Sequence, residues 1–261
     1  MDTNDTARLY EARIKEYAGR LSPVVLESTD STNAYAMRLA ASGAPEGTAV
    51  VACRQTAGRG RLGRSFFSPE GGVYLSLILR PSASPQAALM LTVAAAAATA
   101  GSIELLCGRQ CGIKWVNDIF IDGRKVCGIL TEGAVNAGSG RLDYAVLGVG
   151  VNLSPPPGGF PAEVSGIAGA LFDKPVSYET RARLIGLFAE RFFEYYDAFE
   201  ERGYMAEYKK RSILYGKSVT YMKNNVLHTA RVVGINDDAG LVLDENGTEV
   251  VLAAGEVSVR I

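Results

Sequence analysis

This sequence is poor in histidine and cysteine, and its charges nearly cancel. Its 261 residues include one histidine, four cysteines, and 27 basic against 28 acidic side chains, which gives a formal net charge of −1. A near-neutral chain offers no bulk electrostatic attraction to nucleic acid or to anionic lipid. The composition therefore gives no support to a nucleic-acid-binding or membrane-surface protein.

The few cysteines argue against a structural zinc site. Cys107 and Cys111 lie four residues apart, but the distant His228 and the two other cysteines, Cys53 and Cys127, do not complete the usual four-ligand spacing. We interpret all four cysteines as small, reduced core residues, which is typical of cytoplasmic proteins.

The sequence also lacks a recognisable secretory or membrane-spanning segment. The first ten residues are polar and charged, unlike a signal peptide. The longest apolar stretch, 87–100, is rich in alanine and shorter than a bilayer requires. We therefore expect a cytoplasmic protein.

What the sequence does contain is an alternation of strand-like and helical stretches. Short apolar or alternating runs predict strands, and apolar side chains at three- or four-residue intervals predict helices. The predicted helices are 7–18, 34–41, 85–106 and 177–210, and the predicted strands are 24–26, 48–53, 73–79, 112–115, 119–122, 125–132 and 141–153. The proline run at 155–157 predicts an exposed connection.

The texture changes after Ser212. Five short strands are predicted at 218–222, 229–235, 241–244, 248–252 and 257–260, separated by turn residues such as Asn246-Gly247. The pattern indicates an α+β domain over residues 1–212 and a small all-β barrel over 213–261.

Glycine and arginine are concentrated at 55–64, directly after a predicted strand. The segment reads Gln-Thr-Ala-Gly-Arg-Gly-Arg-Leu-Gly-Arg. Glycine allows a backbone to approach a ligand closely, and arginine binds phosphate or carboxylate. We interpret the segment as an anion-binding lid, with a solvated basic turn or an RNA-binding patch as alternatives. It lacks the Gly-Lys-Ser/Thr of a phosphate-binding loop and the spacing of a dinucleotide site.

Three further segments are ambiguous alone. Asn117 and Asp118 are either turn formers or functional, and Lys125 is either an edge-strand guard or a cation aimed into a cleft. The alternating glycines of 148–150 indicate a strand that another group approaches closely. The polar run 28–33 by position is an N-cap cluster for the helix that follows.

In their order along the chain, these segments resemble the signature of the biotin–protein ligase family. The matching motifs are Ser-Thr-Asn at 31–33, Gln-x-x-Gly-Arg-Gly-Arg-x-Gly-Arg at 55–64, Lys-Trp-x-Asn-Asp at 114–118, Lys-x-x-Gly-Ile at 125–129 and Gly-x-Gly-x-Asn-Leu at 148–153. The resemblance runs from about Val24 to the C-terminus. It implies a mixed sheet flanked by helices, related to class II aminoacyl-tRNA synthetases, with a C-terminal SH3-like barrel. The chain departs from the family at Phe66, often tryptophan, and at Val116, often proline.

The resemblance also implies roles for individual residues. It implies that biotin is bound by Ser31, Thr32, Asn33, Gln55, Gly58, Arg59, Gly60, Arg61 and Lys125, and that ATP is bound by Arg61, Arg64, Phe66, Asn117, Lys125, Gly128 and Asn152. The implied catalytic residues are Lys125, Arg61 and Asp118. The expected substrates are biotin and ATP with Mg²⁺, and the expected partner is a biotin carboxyl carrier protein or domain. The family also allows a homodimer.

Three other functions stay open at this point. A lipoate or octanoate ligase of the same fold would lack the Arg/Gly loop. A biotin-responsive repressor would need a three-helix DNA-reading unit, whereas only about 23 residues precede the first predicted strand; we expect the short form without that unit and no binding of nucleic acid. A catalytically silent binding protein is the third.

Overall fold

The chain forms two β-sheets, of which the larger carries the helices. The computed structural model describes the backbone of residues 3–224, 226–253 and 257–259, and the side chains of 7–224 and 226–253. The larger sheet is mixed and has the strand order β1-β2-β3-β7-β6-β5-β4; only β1 and β2 run parallel. The smaller sheet is antiparallel, with the order β11-β10-β9-β8-β12.

The elements follow the predicted order. The helices are α1 (Thr3–Tyr17), α2 (Thr32–Ala41), α3 (Ala87–Cys107), α4 (Ala162–Ser165), α5 (Tyr178–Asp197) and α6 (Tyr204–Lys210). The strands of the larger sheet are β1 (Ser22–Thr29), β2 (Thr48–Gln55), β3 (Val73–Leu79), β4 (Gly112–Lys114), β5 (Asp118–Ile121), β6 (Arg124–Val135) and β7 (Leu142–Val151). Those of the smaller sheet are β8 (Ser218–Lys223), β9 (Val226–Ile235), β10 (Leu241–Glu245), β11 (Thr248–Leu252) and β12 (Val257–Val259); the predicted strand end at Arg260 lies outside the described residues.

The two faces of the larger sheet are covered unequally. Strand residues alternate between faces, so Ala49 and Val51 join the main core with α1, α3 and α5, whereas Val50 joins a smaller core with α2. The face that α2 shares is covered by a helix of only ten residues. The rest of that face, over β3, β6 and β7, is available for a ligand.

The apolar residues Leu9, Ile14 and Tyr17 have helical spacing in α1, but they do not share its buried side. Ile14 is buried, whereas Leu9 is 56% exposed and Tyr17 is 41% exposed. The buried stripe instead runs through Tyr10, Ile14 and Ala18, at intervals of four residues.

The helix predicted at 85–106 is confirmed as α3, but the argument from its length is wrong. The 21 residues of α3 include an apolar 18-residue window, so the helix is long and apolar enough to cross a membrane by length and composition alone. Inside this protein, 78% of that apolar window is buried. The helix is therefore packed as a core helix.

The helical region predicted at 177–210 is interrupted. It ends first at Asp197, passes through a 3₁₀ turn, and resumes at Tyr204. Arg202 has a left-handed φ of 55°, which no helix interior accommodates, and Gly203 follows it. Both helices on either side of the break, α5 and α6, pack on α3.

All four cysteines are free thiols, in agreement with the interpretation as core residues. Cys53, Cys111 and Cys127 are buried. Burial raises the pKa of the Cys111 thiol to about 12 and that of Cys127 still higher. Neither thiol is ionised at neutral pH, so neither is an activated nucleophile.

The smaller sheet is joined to the larger one at the segment between β4 and β5. Trp115 Nε1 donates a hydrogen bond of 2.7 Å to Ala239 O in the smaller sheet's β9–β10 turn. Lys209 Nζ lies 2.6 Å from Asp237 Oδ1 in the same turn. On the other side of the segment, the hydroxyl of the fully buried Tyr208 donates to Val116 O at 3.0 Å.

We expect Tyr208→Phe to lower the free energy of unfolding by about 1–3 kcal/mol, because Val116 O would lose its buried donor. Urea denaturation followed by circular dichroism measures the change. Tyr215→Phe is the matched control: Tyr215 is 42% exposed, so its loss should cost less than about 0.5 kcal/mol. Equal losses of unfolding free energy in the two variants would show that the hydrogen bond from Tyr208 to Val116 O does not stabilise the fold.

Candidate functional site

A cavity of about 510 Å³ lies on the face of the larger sheet that α2 leaves uncovered. Its walls are the start of α2, the loop 58–66, strands of the sheet, and the segment 160–168. All but one of the predicted site residues line it, namely Ser31, Thr32, Asn33, Gln55, Arg59, Gly60, Arg61, Arg64, Phe66, Asn117, Asp118, Lys125, Gly128 and Asn152. Gly58 is the exception: a Cβ atom there would overlap the carbonyl of Phe66 and the hydroxyl of Ser68, so its space is taken by the loop itself.

The polar end of the cavity is built on the first turn of α2. Ser31 caps the helix, with its side-chain oxygen 3.4 Å from the backbone nitrogen of Ala34. Thr32 donates its backbone N–H and its hydroxyl to Gln55 Oε1, at 2.8 and 3.0 Å. Gln55 in turn donates to Ser68 Oγ at 2.8 Å. These hydrogen bonds hold the polar groups in place without a ligand.

Asn33 connects this end to two residues that the sequence analysis did not single out. Ser76 Oγ lies 2.6 Å from Asn33 Oδ1, and Asn33 Nδ2 donates to Glu132 Oε2 at 2.9 Å. Glu132 Oε1 lies 3.1 Å from Arg59 Nη2. A serine in an otherwise apolar strand was a signal for Ser76, because a buried hydroxyl needs a partner.

Lys125 lies in the cavity rather than at an exposed strand edge. Its Nζ is 2.7 Å from Asp118 Oδ1, and the two side chains are 28% and 24% exposed. This contact is a short ion pair that is largely shielded from solvent. Nearby, Arg61 Nη1 donates to Asn117 Oδ1 at 3.3 Å, and Asn117 Nδ2 donates to Ile129 O at 2.9 Å. Lys125 and Arg61 are thus held in the same cavity by two adjacent residues, Asp118 and Asn117.

The ring of Phe66 packs against two facing glycines of the sheet. Gly128 and Gly150 are paired across β6 and β7. A Cβ atom would lie 3.1 Å from the Phe66 ring at Gly128 and 2.7 Å from it at Gly150. The ring also meets Tyr74 edge-on, with the centroids 6.5 Å apart, and Lys125 Nζ is 5.9 Å from its centroid. These glycines are therefore needed for close approach.

The Arg/Gly loop is a narrow excursion closed by its own backbone. Gly60 N donates to Arg64 O at 2.7 Å, and Phe66 N donates to Gly58 O at 2.8 Å. At its tip, Leu62 has a left-handed φ of 56° and is 71% exposed. The loop presents its arginines along the cavity rim while its apolar tip faces solvent.

A further wall comes from the segment that follows the predicted exposed connection, for which the sequence analysis predicted no structure. Beyond the proline run, Phe160, Val164, Ile167 and Ala168 line the cavity. The segment is fixed to the sheet because Lys125 N donates to Ile167 O and Gly169 N donates to Lys125 O, both at 2.8 Å. Asn152 Nδ2 adds a hydrogen bond of 3.0 Å to Gly169 O. No local sequence pattern encodes a pairing between segments so far apart.

The described residues provide no ready-made metal site. Across 7–224 and 226–253, no group of three or more histidine, cysteine, aspartate or glutamate side chains is arranged to hold a metal ion.

Burial raises the pKa of the cavity residue Tyr74, whose hydroxyl donates to Pro69 O at 2.6 Å. Tyr74 is therefore a neutral wall residue.

Comparison with known proteins relates both the sequence and the fold to one group. A family model described as the biotin/lipoate A/B protein ligase family matches residues 25–152. The bifunctional ligase/repressor BirA of Bacillus subtilis is 38% identical over 226 residues, which cover 85% of this chain and 68% of that protein. The biotin–[acetyl-CoA-carboxylase] ligase of Mycobacterium tuberculosis is 34% identical over 246 residues, covering 89% of this chain and 87% of that one.

A solved structure extends the likeness to the fold. The biotin protein ligase from Aquifex aeolicus in complex with biotin and ATP superimposes with a TM-score of 0.75 at 26% identity. The match covers 92% of this chain and 98% of that chain. The predicted fold class, a mixed sheet flanked by helices with a separate C-terminal antiparallel sheet, is confirmed.

We expect Gly150→Ala to lower the free energy of unfolding by about 1–3 kcal/mol, because its Cβ would displace the Phe66 ring. Thermal and urea unfolding measure the cost. Gly166→Ala is the control, since nothing lies within 4 Å of its Cβ position and its φ is −73°.

A second background tests the cause. In Phe66→Ala the ring is gone, so adding Gly150→Ala should then cost much less. If Gly150→Ala lowers the free energy of unfolding equally in both backgrounds, the added methyl group does not clash with the Phe66 ring.

Proposed function

This chain belongs to the biotin/lipoate A/B protein ligase family, and we propose that it is a biotin–protein ligase. It activates biotin with ATP and transfers biotin to a lysine of a biotin carboxyl carrier protein or domain. The observation that carries the proposal is the arrangement of one cavity, in which a fixed hydrogen-bonding pocket adjoins a pair of cations, Lys125 and Arg61. The hydrogen-bonding pocket binds a polar head group. The two cations stabilise the negative charge of a reaction between two anions.

The first half-reaction needs positive charge more than covalent help, because two anions must approach each other. A carboxylate oxygen of biotin attacks the α-phosphorus of ATP and forms a new P–O bond. The bond from the α-phosphorus to the oxygen bridging to the β-phosphate breaks, and pyrophosphate leaves with its electrons. Lys125 and Arg61 offset the charge that accumulates on the α-phosphoryl oxygens. The product is biotinyl-5′-AMP.

In the second half-reaction, an acceptor lysine amine attacks the carbonyl carbon of biotinyl-5′-AMP. An amide bond forms, the bond to the AMP oxygen breaks, and the amine loses a proton. Asp118 is the carboxylate beside the reacting centre, and its ion pair with Lys125 supports a role in orienting that lysine. Once phosphate draws Lys125 away, the same carboxylate can accept the proton of the amine.

Mg²⁺ fits this site as an ion that enters with the nucleotide. The described residues offer no cluster of three acidic or histidine side chains, and Mg²⁺ usually keeps water and phosphate ligands in nucleotide sites. It would supply further neutralisation of the phosphate charge.

Two further proposals concern the domain boundary and the cellular location of the protein. Ser212 is bridged to Ile113 of the larger sheet, and β8 starts six residues later, which supports a domain boundary near 212. The predominantly buried α3 and the free thiols support a cytoplasmic location.

The function is tested by biotin-dependent exchange of pyrophosphate into ATP, followed by transfer of biotin to a purified carrier domain. Biotin should support both reactions, and lipoate should support neither. Exchange that follows lipoate would identify a lipoate ligase. Biotin binding without exchange would identify a silent binding protein.

We expect Lys125→Ala to slow pyrophosphate exchange by about 100-fold or more, a typical cost of a lost electrostatic stabiliser. The dissociation constant for biotin, measured by calorimetry, should change much less because the head group binds elsewhere. Lys174→Ala, at an exposed lysine outside the cavity, is the control. Near-normal exchange in Lys125→Ala would remove Lys125 from the reacting centre.

We expect Arg61→Gly to release biotinyl-5′-AMP early, because Arg61 lines the cavity and matches the family position that bridges both ends of the intermediate. The variant is incubated with biotin, ATP and bovine albumin, and biotinylated albumin is detected with streptavidin. Leu62→Gly, at the neighbouring position, also introduces a glycine into the loop but removes no cation. Adenylate formation without extra albumin labelling by Arg61→Gly would contradict the role.

A further inference from the structure

We propose that Glu132 is a positioning residue that fixes which hydrogen-bonding group Asn33 offers to a ligand. The proposal rests on the function above, since it concerns the head-group end of the same cavity. It adds a specificity-determining residue to the site, one that acts through another side chain.

The hydrogen bonds of Asn33 are nearly all in use. A primary amide has two N–H donors and one oxygen with two lone pairs. Asn33 Nδ2 donates to Leu130 O at 3.2 Å and to Glu132 Oε2 at 2.9 Å, which uses both protons. Ser76 Oγ lies 2.6 Å from Oδ1 and 2.8 Å from Thr32 Oγ1, so its single proton occupies at most one lone pair of Oδ1. The remaining capacity of the amide is therefore on Oδ1 alone, so Asn33 can only accept from a ligand.

Glu132 is the partner that prevents the amide from turning over. A hydroxyl such as Ser76 can donate or accept, so it does not distinguish the two orientations. Leu130 O does, but through the longer of the two bonds. The ionised carboxylate of Glu132 accepts only, and a hydrogen bond to a charged group is the stronger kind.

Arg59 holds the carboxylate in place. Glu132 Oε1 lies 3.1 Å from Arg59 Nη2, and the Glu132 side chain is only 24% exposed. Glu132 lies on the same face of β6 as Leu130 and Gly128, because alternate residues of a strand point to the same side. Leu130 and Gly128 line the cavity. The carboxylate is thus charge-balanced by the loop while it orients a residue of the polar pocket.

The consequence concerns the chemical class of the head group. An acceptor-only Asn33 favours a ligand that carries an N–H, as each side of a cyclic urea does. A head group without an N–H, such as a dithiolane, would leave a lone pair of Asn33 Oδ1 without a partner in a buried site. Glu132 therefore contributes to the selection of a ureido ring.

The test compares Glu132→Leu, which removes the acceptor, with Glu132→Gln, which keeps one oxygen for Asn33. Calorimetry measures the dissociation constants of biotin and of the two mono-N-methylated biotins, in which one ureido N–H at a time is blocked. Glu132→Leu should weaken biotin about tenfold or more, and Glu132→Gln about threefold or less. Pyrophosphate exchange at saturating biotin should change less than about threefold in both variants, so the effect falls on KM. Glu249→Leu, on an exposed strand position of the smaller sheet, is the control.

The discrimination ratio provides the decisive readout. The wild-type protein should bind biotin much better than at least one methylated form, and that ratio should fall at least about fivefold in Glu132→Leu but persist in Glu132→Gln. A wild-type ratio in a folded Glu132→Leu protein would overturn the proposal and leave the ligase function intact. A wild-type protein that does not bind biotin would overturn the proposed function and this inference together.

Discussion

A helix that is apolar on every side must be buried on every side, and α3 imposes this requirement on the fold. Fourteen successive residues of α3, from Met90 to Ile103, are buried. The sheet covers one side of α3, and α5 and α6 cover the others, so the long helices collect on a single face of the sheet. Among the described helices, the opposite face receives only the short α2 and the four-residue α4, whose Val164 lines the cavity. The space for the cavity follows from this unequal distribution.

The positions of several cavity side chains require glycines in the strands that they pack against. Gly148 leaves room for the Asn33 amide, and Gly128 and Gly150 leave room for the Phe66 ring. A side chain at any of these positions would fill the space from below. The glycines therefore leave a depression in the surface of the sheet. The side chains of the site extend over it from α2, the Arg/Gly loop and β6.

Much of the fold and of the site could be predicted from local patterns. The strand 73–79 is found with its predicted limits, because its apolar run is bounded by glycine and proline. The predicted site residues other than Gly58 share one cavity, because their motifs sit at strand ends and at a helix start that the sheet brings together. Their individual roles remain proposals.

The remainder depends on long-range contacts that local patterns do not contain. Glu132 meets Asn33 across 99 positions of sequence, and nothing in the alternation of β6 indicates that partner. The segment after the proline run pairs with Lys125 through backbone groups, which every sequence possesses. In α1, Leu9 and Tyr17 fit a helical spacing with Ile14 and are nevertheless exposed, because packing against α5 decides which side of the helix is buried.

The bond from Trp115 to the smaller sheet has an optical consequence. Trp115 is the one tryptophan of the chain. Trp115 is among the residues that line the cavity, is only 5% exposed, and donates its indole N–H to Ala239 O. Indole emission responds to local polarity and to the partner of that N–H. The intrinsic fluorescence of this protein is therefore a single-site signal, carrying at once the occupancy of the cavity and the contact between the two sheets, without any attached dye.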